Sequence, residues 1–367
     1  MAPVTILGMV LTVVLAVEMT THGAELETGP ISLLDNLRTA RAIAVAMESS
    51  NIATVQIPSS SSSGTAHEFV REGQHVLILS NRAHLLGRGT WREATSSLRL
   101  TIPSDVTPQM MTAAHTNATM MATVTPIEDN EKSENEIRIL QQLRTAQVQY
   151  VMPPPSFQWT KIIHRRLFHL EIDYPLLHFA TIRAQGTLAD LRTTDANTPN
   201  QQETFCEQLL IALRGMHAAG VAHMDLGPGN VYILNGNIAI GDFSDAVSGS
   251  DTTEDRRIYD MTSLGELLLF LINPSLTIEV VRQIDPATLS SSDPYNPSQT
   301  IPQRLNHLIS QLITPNREAR LTAPAALEEF YRLFPTRRPI PTPSLVSSPS
   351  PPSQSPSSPM TSPSSST

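Results

Sequence analysis

The chain has 367 residues, 40% of them hydrophobic, and a formal net charge of −9. That length exceeds one minimal domain and leaves room for a sizeable core. The acidic balance, with no block of basic residues, argues against nucleic acid as a partner.

Residues 3–17 (PVTILGMVLTVVLAV) are an uncharged apolar run. The run is short for a membrane span and lacks the positive flank of a signal peptide, whose core it otherwise resembles. Two readings stand: a signal or anchor, or a packed N-terminal segment. Residues 1–57 are assigned to an N-terminal extension. Residues 58–69, which open with PSSSSSG, are assigned to a flexible linker, so that the folded domain spans about 70–335. HVLILS at 75–80 reads as a strand, and Leu86-Gly87-Arg88-Gly89-Thr90-Trp91-Arg92 follows it. Glycines at 87 and 89 let the backbone approach a ligand closely.

PLLHFATI at 175–182 is strand-like, and residues 205–221 (FCEQLLIALRGMHAAGV) carry apolar side chains at helical spacing. That helix contains the single cysteine, Cys206. One cysteine excludes an intramolecular disulfide framework and favours a reducing compartment, and its place in the pattern makes it a packed thiol. The histidines show no ligand spacing, which argues against zinc. Asn117-Ala118-Thr119 is a glycosylation sequon that matters only if residues 3–17 are a signal. Residues 336–367 are assigned to a disordered tail, because from Pro339 on the chain is almost only Pro, Ser and Thr and cannot bury enough apolar surface to fold. Ser348, Ser350, Ser355, Ser358 and Ser362 each precede proline. The tail is either a substrate of proline-directed kinases or a plain solubilising segment.

Chemistry is concentrated in residues 223–244, where His223-Met224-Asp225 leads to Asn230 and then to Asp242-Phe243-Ser244. The order and spacing of Asp225, Asn230 and Asp242 resemble the catalytic centre of protein kinases. The resemblance extends along the chain. Residues 86–94 resemble the glycine-rich loop over ATP phosphates, and residues 119–127 (TMMATVTPI) the strand after it. Residues 131–143 (EKSENEIRILQQL) resemble the regulatory helix, with Glu136 at its ion-pairing position. Residues 185–191 resemble the hinge and first helix of the C-lobe, with Phe179 near the back of the adenine pocket or simply in the core. Residues 260–271 resemble the buried helix that anchors the catalytic loop, and 308–327 the closing helices with their structural arginine, Arg320.

The resemblance implies an α+β, two-lobed fold, with a small β-rich N-lobe at about 70–182 and a mostly helical C-lobe at about 183–335. It implies ATP and Mg²⁺ as cofactors: Asp225 as the base, Asn230 and Asp242 holding Mg²⁺, and Gly87 and Gly89 covering ATP.

Several positions depart from the pattern. The family's strand lysine is missing, because no Lys or Arg occurs between Arg99 and Lys132. Arg92 is the candidate to supply that charge, much as the with-no-lysine kinases recruit a lysine from the same loop; the other reading is a solvent-facing strand residue. Met224 replaces the arginine that pairs with a phosphorylated activation loop, and Gly227 the lysine that touches the transferred phosphate. Ser244 replaces the last glycine of Asp-Phe-Gly, as in the kinases of herpesviruses, which suggests a viral origin. Only 17 residues separate Asp242 from Asp260, too few for the family's peptide platform.

The resulting expectation is a divergent serine/threonine-type protein kinase that transfers the ATP γ-phosphate to a protein hydroxyl. The alternative is a pseudokinase acting as a binding scaffold; small-molecule phosphorylation also fits the short segment. The partner is a protein substrate or binding partner, with no nucleic acid and no membrane unless residues 3–17 are an anchor. The place is intracellular, in host cytoplasm or nucleus if the chain is viral, or else secretory or membrane-anchored through 3–17.

Overall fold

Alternation of apolar and polar side chains along the first half of the chain produces strands, and helical spacing along the second half produces helices. A computed structural model describes residues 52–339, except 58–64, 73–74, 81–84, 90–91, 102–117, 128–129, 168–169, 191–197, 274, 277, 290–292 and 297. The apolar run 3–17, the Ser-rich stretch, Asn117 and the Pro/Ser tail beyond 339 therefore lie outside the described residues.

Strands β1 (Ile52–Ile57), β2 (Thr65–Glu72), β3 (His75–Ser80), β4 (Leu85–Arg88), β5 (Arg92–Thr101) and β6 (Ala118–Pro126) precede helix α1 (Glu131–Thr145). Strands β7 (Phe157–Leu167) and β8 (Leu170–Ile182) follow it. All eight strands form one antiparallel sheet in the order β1-β2-β3-β5-β6-β8-β7, with β4 paired to β5. β1 and β2 pair in register across the Ser-rich stretch, Ile57 opposite Thr65. The sheet thus includes residues that the sequence reading placed in an N-terminal extension and linker.

Period-two alternation divides the apolar residues of this sheet between its two faces. Val70, Leu77, Met121, Phe157, Trp159 and Ala180 cluster on one face. Val124 and Phe179 are on the other, packed against Ile137 of α1. The opposite side of α1 carries Ile139, Leu140 and Leu143 into the large core of the helical half.

That half contains β9 (Gly186–Thr187), α2 (Pro199–Ala218), β10 (Val221–Ala222), β11 (Val231–Leu234), β12 (Asn237–Ile240) and β13 (Val247–Ser248). It continues with α3 (Glu254–Ile272), α4 (Ile278–Val281), α5 (Ile301–Leu312) and α6 (Ala323–Leu333). β11 and β12 are joined through Asn235 and Gly236, with φ of 51° and 78°. Asn-Gly is the residue pair that a tight hairpin turn of this hand favours.

Helix α2 starts at Pro199, six residues before the apolar periodicity suggests. Thr198 caps it, its hydroxyl accepting from the Gln201 N–H, and Pro199 supplies a preset φ. Thr300 and Gln303 form a reciprocal capping box at α5, where Pro302 again lies in the first turn. Gly186 and Thr187, expected to lead into a helix, are instead a short strand paired to Tyr232 and Ile233.

The architecture is a mixed α+β fold. Among the described residues no helix is long and apolar enough to cross a membrane.

Gly265 shows how closely α3 and α5 approach. A Cβ there would lie 2.4 Å from a methyl of Ile313 and 3.0 Å from Leu312 Cβ. Gly265→Ala is expected to lower stability by roughly 1–2 kcal/mol, overpacking outweighing alanine's helix propensity. Denaturant titration that found the variant as stable as wild type would contradict this packing.

Candidate active site

The site forms where the end of β5, helix α1 and the loops around β11 and β12 meet. Arg92 opens β5 directly after the glycine-containing turn, and the Gly89 N–H donates to its carbonyl at 2.9 Å. Packing of Ile137 against Val124 and Phe179 sets the rotation of α1, and Glu136 meets Arg92 across the gap. The two form an ion pair, and the same guanidinium reaches Asp242 at 2.6 Å. Val124 fills the sheet-to-helix contact from β6, a strand with no basic residue. The cation facing Glu136 therefore comes from β5. Arg92 is 16% exposed, so it does not face solvent.

Burial opposes the charge on Arg92, but Glu136 and then Asp242 more than compensate and raise its pKa. Burial holds the Glu136 carboxyl above its usual range; Arg92 opposes this and Asp242 adds to it. Two carboxylates share one guanidinium, and the Tyr232 phenol lies close enough to feel all three charges. Burial pushes the Tyr232 phenol up to about 12, so it stays neutral at physiological pH. The Tyr232 ring fills space left by Gly241, where a Cβ would lie 2.8 Å from the ring and 2.6 Å from Met152 Cγ.

Asp225 and Asn230 lie together on the loop before β11. The Asn230 amide donates to the Asp225 carbonyl at 2.8 Å and to its carboxylate at 2.9 Å. Asn230 also accepts the Gly241 N–H at 2.9 Å, which ties this loop to the strand entering Asp242. Asp260, completely buried at the base of α3, anchors the loop. Its carboxylate accepts from the His223 N–H at 2.8 Å and the Met224 N–H at 2.9 Å, and pairs with His217 Nε2 at 3.0 Å. His223 Nε2 meets the Gly241 carbonyl at 3.0 Å, and its ring packs on Phe243. Met224 and Asp242 both adopt left-handed backbone, with φ of 68° and 61°. Such a conformation is uncommon for methionine and persists because the surrounding bonds over-determine it.

Of the predicted site residues, Arg92, Glu136 and Asp242 share one cluster, and Asp225 and Asn230 form an adjoining one. Gly87 and Gly89 lie in the β4–β5 hairpin. A Cβ on Gly87 would meet nothing within 4 Å, and one on Gly89 only the Arg92 carbonyl at 3.8 Å. Sequence reasoning missed Tyr232 and Asn135. The Asn135 amide faces the carbonyls of Phe243, Ser244 and Ala246 at 3.3, 3.1 and 2.8 Å. No spacing rule marks either residue, because their partners lie about a hundred or more positions away.

Away from the site, the acidic residues that open α3, Glu254 and Asp255, do not pair with Arg320. Asp255 instead pairs with Arg317 at 2.9 Å and Glu254 with Arg257 at 3.6 Å, while Arg320 donates to the Thr314 carbonyl at 2.7 Å. The Thr314 carbonyl lies on the loop just before Arg320, within reach without a cross-chain carboxylate. Cys206 is fully buried, and burial, with Glu207 and Glu203 adding to it, raises its thiol pKa well above the ordinary value.

No family model matches the chain. The chain is similar to mitogen-activated protein kinase 12 of Oryza sativa subsp. japonica, 27% identical over 205 residues, covering 52% of this chain and 33% of that protein. It therefore spans about a third of that relative's length. The relationship is protein-kinase-like.

Proposed function

We propose that the chain is a divergent, two-lobed protein kinase that transfers the ATP γ-phosphate to a protein hydroxyl. The observation that carries this reading is the bridge from Arg92 to both Glu136 and Asp242. It supplies, from a neighbouring strand, the buried cation that the kinase pattern expects and β6 lacks. An arginine in that place can hold phosphate through two N–H donors.

The residues fit the cofactor. Asp242 and Asn230 offer the hard oxygen donors that suit Mg²⁺. The open space beside Gly87 and Gly89 suits a phosphate chain against the hairpin backbone. Mg²⁺, when bound, neutralises phosphate charge. Asp225 accepts the proton of the acceptor hydroxyl, and Asn230 orients its carboxylate through the 2.9 Å hydrogen bond. The neutral Tyr232 phenol lies beside the guanidinium and adds no charge to the cluster. We place the substrate among proteins and the activity inside the cell; the herpesvirus likeness rests on Ser244.

Two observations favour a scaffold without transfer. The Asp242 Oδ1 atom is already taken by Arg92 at 2.6 Å and by the Ser244 hydroxyl at 2.8 Å, and the segment to Asp260 folds at once into β13 and α3.

The deciding experiment is Mg-ATP binding and γ-phosphate transfer to the chain's own Ser-Pro tail and to a generic acceptor, with Asp225→Asn beside wild type. Transfer is expected to fall by about 10²–10⁴-fold in the variant with nucleotide affinity nearly unchanged. Binding without transfer in wild type would establish the scaffold instead.

A further inference from the structure

Three residues of helix α1, Lys132, Asn135 and Arg138, hold the segment that follows Asp242. Lys132 pairs with Asp245 at 2.6 Å. One helical turn on, the Asn135 Nδ2 faces three backbone carbonyls, those of Phe243, Ser244 and Ala246. The Arg138 guanidinium donates to Asn135 Oδ1 at 2.6 Å and to the Ser248 hydroxyl at 2.8 Å. Spacing of three residues puts Lys132, Asn135 and Arg138 on one face, the face next to Glu136. Arg138 fixes the orientation of the Asn135 amide, because its charge pairs with the amide oxygen and leaves the NH₂ toward the carbonyls.

Three hydroxyls of the segment are already engaged. Ser244 donates to Asp242 and Thr252 to the Gly220 carbonyl at 2.7 Å, while Ser248 accepts from Arg138. On the opposite side the segment is closed by pairing of β13 with β10.

We propose that Asn135 is a positioning residue: it orders residues 243–248 and through them the left-handed Asp242, so that the segment is set by α1 with no need of a phosphoryl group. The second half of this statement rests on the reading of Asp242 as a Mg²⁺ holder; the first does not. Asn135→Asp preserves shape and reverses the hydrogen bond, turning a donor toward carbonyls into a carboxylate. Arg138→Ala, on an exposed side chain, frees the amide to rotate without threatening the fold.

The test is amide hydrogen exchange on the full, unliganded chain, read together with Mg-ATP affinity by calorimetry. Exchange across residues 243–252 is expected to accelerate at least tenfold in Asn135→Asp and about threefold in Arg138→Ala. Exchange in α2 should stay within twofold of wild type, and Mg-ATP affinity should fall at least fivefold in Asn135→Asp. Unchanged exchange across 243–252 in both variants overturns the proposal. So does accelerated exchange with unaltered Mg-ATP affinity, which would detach Asn135 from Asp242. If wild type binds no nucleotide, the proposed function fails, and exchange alone then decides whether Asn135 orders the segment.

Discussion

Arg92→Ala is expected to weaken ATP binding by more than tenfold and to lower stability by about 3–5 kcal/mol. The second figure is the usual cost of leaving one partner of a buried ion pair alone. Glu136 is the partner left behind, and it is almost fully buried. Burial already raises its pKa, and Arg92 is the main opposing influence. Removing the guanidinium leaves burial unopposed, and the folded state then favours the protonated acid. The sign follows from linkage: a carboxyl whose folded pKa is raised stabilises the fold below that pKa and loses the contribution as pH rises through it.

The deficit of Arg92→Ala should therefore narrow in acid and widen toward neutral pH. Adding Glu136→Gln removes the titrating group, and the double variant should recover much of the loss and its pH dependence. Chemical denaturation between pH 4.5 and 8 checks both. A pH-independent deficit would mean that Glu136 is not what Arg92 neutralises. If nucleotide affinity survives in the double variant, Arg92 is not a phosphate ligand.

Asp260→Ala is expected to cost about 3–5 kcal/mol and to abolish the proposed phosphate transfer. Two backbone N–H donors and a histidine nitrogen converge on this carboxylate inside the core. Each buried donor left without a partner costs roughly 1–3 kcal/mol. The Met224 N–H is among them, and Met224 holds the φ of 68° that turns the chain into Asp225. Without Asp260 that conformation has lost its main support, so the Asp225 carboxylate is misplaced even where the domain stays folded. A thermal midpoint lowered by roughly 10 °C is the corresponding readout for a domain of this size. Asp260→Asn keeps the shape but turns one acceptor into a donor facing donors, and should be intermediate. A midpoint within 2 °C of wild type for Asp260→Ala would show that the loop is held by something else.

Much of the fold was legible. β6 and α1 occupy the segments that the sequence suggested, because a β-branched alternating run and a charged helix with an apolar stripe each carry their own period. The start of α2 was misplaced, since apolar spacing begins only at Phe205, whereas the helix begins at the Thr198 cap. A cap reports where a helix starts even when the first turns are polar. The sheet's first hairpin was hidden by the Ser-rich stretch at 58–64, whose composition is silent on whether its flanks pair. Arg320 was legible only as the structural arginine of the closing helices, with no partner marked for it. Its actual partner is a carbonyl, and carbonyls leave no trace in composition.

By itself the sequence determined the order of Asp225, Asn230 and Asp242, the missing lysine on β6, and Arg92 and Glu136 as candidates for an ion pair. These follow from residue type and local spacing, which one chain displays in full. Only the tertiary structure decided that Arg92 bridges Glu136 and Asp242, that Tyr232 joins them, that Asn135 clamps the segment beyond Asp242, and that Asp260 anchors the loop before Asp225. Each is a meeting of side chains distant in sequence, created by packing α1 on the sheet and α3 beneath the loop, and the directional bonds that result depend on coordinates rather than on order along the chain.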